Sequence, residues 1–268
     1  MNIKIFNVTD EDVFLCSSSS KGNQSKWKRD NFFIKQDYLG YESIAEIVSA
    51  KLASCIENFN YVDYNLCSVI YNQVQYNDCC YSKNFLSNGE VAQTLYRLFE
   101  FKDIDLDEYI SNTTTDIAIL KIKETLNLDD KFIEDIGKML FFDALILNED
   151  RHFNNICFII SSNGNLRLTP IFDNGGALLS DIRDYPLITQ DFINVRNVKS
   201  KPFNTKFSNQ IKGVLKLGVS PLKIDRDKFN NLVKDLKVCF EYEPYLNRAI
   251  RVVNMRLNEL EGKVWQSI

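Results

Sequence analysis

In the stretch NEDRHFNNICF, residues 148 to 158, the one histidine of the chain, His152, stands among acids, an arginine and asparagines, directly after the apolar run MLFFDALIL. Asp150 precedes Asn155 by five positions. A further acid, Asp173, follows in FDNGG, beyond two β-prone runs, ICFII and LRLTP, joined by the turn sequence SSNGN. One carboxylate to orient or deprotonate a nucleophile, plus an amide oxygen and a second carboxylate to hold hard cations, is what phosphoryl transfer asks of a protein. That reaction needs positioning and charge stabilisation more than covalent help. Taken singly, an Asp and an Asn after a helix are ordinary turn formers, and so is DNGG. Their order along a helix, loop, hairpin and loop points instead to parts of one site.

Such a site also needs a cation for the nucleotide phosphates and an acid to hold it. Lys35, in FFIKQD, is a charged residue inside a strand pattern, where an exposed strand lysine is the plainer reading. Its partner is Glu46 or Glu42 in the helical run YESIAEIVSAKLASCIE. Both acids lie opposite Ile44 and Val48, so periodicity alone places both in solvent. No G-x-G-x-x-G or Walker A sequence is present. Backbone amides around Gly22, Asn23, Gln24 and Ser25 remain as phosphate donors, with Lys26 nearby. Asp143, on the helix before the catalytic stretch, is read either as a holder of loop amides or Arg151, or as a solvated carboxylate.

Bulk composition narrows the alternatives. The 268 residues are 45% hydrophobic and 25% charged, with a net charge of −4. That is globular composition, and it gives no general attraction for nucleic acid. Seven cysteines without a C-x-x-C pair form neither a zinc pattern nor a disulfide framework, and one histidine excludes most nitrogen-ligand metal sites. The N-terminus has no signal-peptide pattern and no apolar run reaches the roughly 20 residues of a membrane helix. A cytoplasmic protein without a membrane or nucleic-acid partner is the expectation.

The elements that must position these residues divide by periodicity. Short strands are expected at 3–7, 13–16 and 31–36, with a hairpin over 66–81 and one helix between them. SSSSKGNQSKWKR, residues 17–29, reads as a loop. From about residue 89 helical spacing takes over, in NGEVAQTLYRLFEF, TTDIAILKIKETLNL and DDKFIEDIGKMLFFDALIL, and again at 206–217, 227–240 and 244–262. Residues 181–205 show no clear period. The fold class expected is α+β and bilobal, with a small β-rich N-lobe carrying one helix (1–88) and a larger, mainly helical C-lobe (89–268).

NEDRHFNN followed by PIFDNGGALLSD resembles the catalytic and metal-binding loops of the HipA-like serine/threonine kinases, in their short form. The resemblance extends to GNQSKWKRDNFFIKQDYLGYESIAEIVSAKLA and to KPFNTKFSNQI. It implies a kinase-like fold that uses ATP and Mg2+, a protein substrate, Asp150 as catalytic base, Asn155 and Asp173 as magnesium ligands, and Lys35 on the phosphates. It favours Glu46 as the partner of Lys35, gives His152 a loop-shaping place in the catalytic stretch, and implies a mobile phosphate loop at Gly22 to Ser25. Ser18, Ser19, Ser20 and Ser25 are then autophosphorylation candidates, since a phosphate there would repel ATP. D-R-H-x-x-N with a later Asp also occurs in phosphoinositide lipid kinases, which makes a lipid acceptor the second reading. The third is a nucleotide-binding regulator or toxin–antitoxin component without turnover. The chain starts almost directly at the front lobe, which argues against the growth-arrest activity and antitoxin partner of longer family members.

Overall fold

In the computed structural model residues 3–14 and 24–259 are described. Their contacts form two compact units, Met1–Phe85 with Asp173–Asn197 and Ile224–Met255, and Leu86–Phe172 with Val198–Lys223 and Arg256–Ile268. The β-rich unit thus takes in two segments beyond residue 88.

That unit is built on a five-stranded sheet of β1 (Lys4–Asn7), β2 (Lys26–Arg29), β3 (Phe32–Gln36), β4 (Tyr64–Tyr71) and β5 (Val74–Lys83), in the order β1-β4-β5-β3-β2. Period-two alternation decides which face each residue serves. Phe6, Trp27, Ile34, Cys67, Val69 and Cys79 pack together on one face. Lys35 and Cys80 are register partners one residue out of phase with Ile34 and Cys79, so they face the other way, toward helix α1 (Glu42–Ala53). The adjacent pair Cys79 and Cys80 therefore serves both faces of one strand.

The KWKR end of the expected loop is strand β2. Trp27 is buried, and Asp30, with a positive φ of 51°, turns the chain back into β3. Only Val13 of the expected 13–16 strand forms a bridge, to Trp27, after a short 3-10 turn at Asp10–Asp12; residues from 15 onward there lie outside the described ones. Helix α1 is buried on nearly every side, which is why periodicity misread Glu42 and Glu46 as solvated.

The segment after Asp173 docks on the start of α1. Gly40 bridges Asp181, Tyr41 donates through Oη to the Leu178 carbonyl at 2.7 Å, and Ile182 N–H donates to Leu39. A Cβ on Gly40 would stand 2.0 Å from the Ser180 carbonyl oxygen, so only glycine permits this approach. Further along, an unexpected helix, α6 (Asp191–Asn197), lies in the stretch without a period. Buried Asp191 accepts from Arg248 Nε at 2.8 Å and Arg251 Nε at 2.9 Å, and Arg248 also donates to the Tyr185 carbonyl. Both arginines belong to α9 (Glu243–Glu259). The expected 227–240 helix, α8 (Arg226–Lys234), ends early.

The second unit carries α2 (Leu95–Glu100), α3 (Leu106–Ile110), α4 (Thr115–Leu126), α5 (Asp130–Ile146) and α7 (Phe207–Lys216), with a three-stranded sheet of β6 (Val91–Thr94), β7 (Cys157–Ile160) and β8 (Leu166–Leu168). VAQT, expected to be helical, is β6: it pairs with β7, and the Thr94 side chain then caps α2 by accepting from Arg97 N–H. Helix α5 buries Phe132, Ile136, Leu140 and Ala144 as its spacing predicts. It ends on Leu147, whose left-handed backbone (φ 56°) releases the chain into the NEDRHFNN stretch.

Candidate functional site

The first group lies in the β-rich unit. Lys35, presented by β3, places its Nζ 2.7 Å from Glu46 Oε1 and 2.7 Å from Asp173 Oδ1. The other oxygen of Glu46 accepts from the Asn174 backbone N–H at 2.9 Å, tying helix α1 to the loop that carries Asp173. Asp173 sits at φ 57°, a left-handed conformation that aspartate tolerates better than most residues. At Gly175 a Cβ would come 3.2 Å from Glu42 Cβ, so the loop lies flat on the helix. Glu42 itself is turned away from Lys35, accepting from the Leu39 and Gly40 amides at 2.7 and 3.0 Å.

Electrostatics explain why Lys35 keeps its charge here. Burial works against the ammonium, but the carboxylates of Asp173 and Glu46 outweigh it and hold its pKa well above the usual lysine value. Burial also pushes the Glu46 carboxyl up, against the pull of Lys35. One ammonium between two carboxylates leaves surplus negative charge, which a divalent cation would neutralise.

The second group lies in the helical unit. Buried Arg151 is the knot of the NEDRHFNN stretch. Its guanidinium makes a two-pronged contact with Asp143 on α5, Nε to Oδ2 at 2.9 Å and Nη2 to Oδ1 at 3.1 Å, and donates to the carbonyls of Asn155 and Phe172. Asp143 also accepts from Asn148 Nδ2, so it is the loop holder and not the solvated carboxylate. Asn148 Oδ1 in turn accepts from the Asp150 N–H at 3.1 Å. Asn155 donates through Nδ2 to the Asp150 carbonyl at 2.9 Å, which leaves its Oδ1 as the atom for another partner. The Asp150 carboxylate is 3.3 Å from Lys201 Nζ and 3.9 Å from His152 Nε2.

No protein-family model matches the chain, and no curated protein sequence does. Among the solved structures similar to it over most of its length are two kinase-related chains. The Helicobacter pylori proinflammatory kinase CtkA superposes with a TM-score of 0.65 at 16% identity, over 99% of this chain and 97% of that one. HipA of Shewanella oneidensis MR-1, from a complex with HipB and operator DNA, gives 0.57 at 13% identity over 94% and 67%. The fold is that of the HipA-like kinases. It is α+β, with a β-rich N-lobe and a helical C-lobe, as expected.

Within this HipA-like fold the residues singled out by spacing fall into the two groups above. Lys35, Glu46 and Asp173 come together in one, and Asp150, His152 and Asn155 in the other. Gly22, Asn23 and Ser18 to Ser20 lie outside the described residues. Ser25 enters β2, its carbonyl accepting from the Gln36 N–H beside Lys35, and Gln24 precedes it. Among the described residues no cluster of three His, Cys, Asp or Glu would hold a metal alone. The donors proposed for magnesium, an amide oxygen and a carboxylate, suit a hard cation that keeps several waters and takes its other ligands from phosphate. Spacing gave no hint of Asn148 or of the contact between Lys201 and Asp150. Asn148 has only its place two residues before Asp150 to mark it, and Lys201 only its place in KPFNTKFSNQI.

Proposed function

We propose that the protein is an ATP-dependent serine/threonine protein kinase of the HipA-like type, transferring the γ-phosphoryl group of ATP to a protein hydroxyl, its own included. The observation that carries this reading is Lys35, held by two carboxylates at 2.7 Å each, one from the helix and one from the FDNGG loop. Protein kinases require a lysine–glutamate pair of this kind, together with a metal-binding aspartate beside it, for transfer. Lys35 binds the nucleotide phosphates, Glu46 aims it, and Asp150 orients the acceptor hydroxyl and takes its proton. Asn155 and Asp173 would hold Mg2+, which would supply charge neutralisation for the phosphates. The backbone amides of Gln24 and Ser25 serve the phosphates, and His152 shapes the stretch around Asp150. No helix among the described residues is long and apolar enough to cross a membrane.

Incubation with γ-labelled ATP and Mg2+ tests the acceptor. Label on the protein itself or on a generic protein substrate is the expected result. Transfer only to phosphoinositide vesicles would replace the protein acceptor by a lipid. Nucleotide binding without transfer to any acceptor would make the protein a regulator.

A further inference from the structure

The hairpin-like turn around residues 200–205 is built to place one exposed ammonium. Gln210, buried on α7, donates through Nε2 to the Lys201 carbonyl at 3.0 Å, and its Oε1 accepts from the Phe203 N–H at 3.4 Å. Ser200 closes the turn through its N–H to the Thr205 carbonyl and its hydroxyl to that of Asn204. The Phe203 ring packs edge-on against Phe153 of the catalytic stretch, with centroids 5.7 Å apart. This support ends in Lys201 Nζ, 3.3 Å from Asp150 Oδ1, with the lysine side chain 48% exposed. An ion pair that open to water contributes little to stability. The loop's own cation, Arg151, is turned inward onto Asp143 and two carbonyls.

We propose that Lys201 is a catalytic residue, whose ammonium neutralises the phosphoryl group in flight; the assignment rests on the kinase reading above. In the step, the acceptor hydroxyl oxygen bonds to the γ-phosphorus and the bond from that phosphorus to the β–γ bridging oxygen breaks. ADP leaves with the electron pair, and the hydroxyl proton passes to Asp150. An acceptor oxygen hydrogen-bonded to Asp150 lies about 3 Å from the carboxylate. The phosphorus it attacks then falls within the sweep of a flexible lysine that touches the same carboxylate. Charge in this transition state spreads over the equatorial phosphoryl oxygens. A cation that moves from Asp150 onto those oxygens frees the base as it stabilises them.

The test is steady-state transfer by wild type, Asp150→Ala, Lys201→Ala, Lys201→Met and Lys201→Arg, with titration of a non-hydrolysable ATP analogue. Lys201→Ala and Lys201→Met should lower kcat about 100-fold, the scale for removing one preorganised charge-stabilising group. KM for ATP and analogue affinity should hold, and Lys201→Arg should recover most of the rate. A wild-type kcat in Lys201→Ala, or a rise in KM alone, overturns the assignment while leaving the kinase reading in place. Absence of transfer by wild type removes both.

Discussion

Asp191→Asn should be among the most destabilising near-isosteric changes in the protein. Arg248 is fully buried, and it donates to Asp191 and to the Tyr185 carbonyl; its Nη2 has no hydrogen-bond partner among the described residues. Removing the carboxylate charge leaves a desolvated guanidinium facing only neutral acceptors, the new amide oxygen and the Tyr185 carbonyl. Breaking a buried pair from one side costs about 3 to 5 kcal/mol, and the sparse remaining partners put this case toward the upper end. The control is Glu134→Gln on α5, whose partner Lys138 stands one turn away with the glutamate 57% exposed. Such a pair is worth about 0.3 to 0.5 kcal/mol. With a urea m-value of about 3 kcal/mol/M, the midpoints should fall by about 1 to 1.7 M and by about 0.1 to 0.2 M. Asp191 and Glu134 belong to different units, so far-UV circular dichroism, which reads the helices of both, follows the transition. A shift in Asp191→Asn no larger than in Glu134→Gln would refute the reasoning.

Three further outcomes follow from the same geometry. The folded-state pKa of Lys35 lies above its unfolded value, so its contribution is fully present below about pH 10 and is lost as pH rises through the folded value. Urea midpoints should therefore fall on the alkaline side in wild type, and Lys35→Met should blunt that fall; an unchanged alkaline limb contradicts the triad. Gly40→Ala drives a Cβ into the Ser180 carbonyl and should cost about 3 kcal/mol or more, whereas in Gly175→Ala the nearest atom is Glu42 Cβ at 3.2 Å, with Glu46 Oε1 at 3.8 Å, and the change should slow transfer with a small midpoint shift. Equal midpoints for the two would contradict the docking described. Burial pushes the Cys67 thiol up to about 12 and raises those of Cys79 and Cys80 too, so under native conditions a thiol reagent should label exposed Cys239 and spare these three, checked by peptide mass mapping.

How much was legible in the sequence depended on whether local pattern or tertiary contact decided the outcome. Helix α5 and the β4–β5 hairpin carry their own periodicity, and the spacings of Asp150, Asn155 and Asp173 are local facts. Strand β2 and strand β6 are not locally marked. KWKR becomes a strand because Trp27 has a core to enter, and VAQT because β7 offers an edge. Helix α6 owes its place to Arg248 and Arg251, some 57 and 60 residues away. Glu42 and Glu46 were misjudged for the same reason: a helix buried all round has no solvent face for periodicity to find. The choice between them rests on tertiary contacts: Lys35 reaches Glu46, whose other oxygen takes the Asn174 N–H from 128 positions away, while Glu42 is held by the Leu39 and Gly40 amides.

The central claim is phosphoryl transfer with Asp150 as the base. A single-turnover measurement with γ-labelled ATP and Mg2+, run beside a nucleotide-binding titration, tests it most directly. The account predicts label on protein hydroxyls with wild type, and none with an Asp150→Ala variant that still binds Mg–ATP. Undiminished labelling by Asp150→Ala would contradict it.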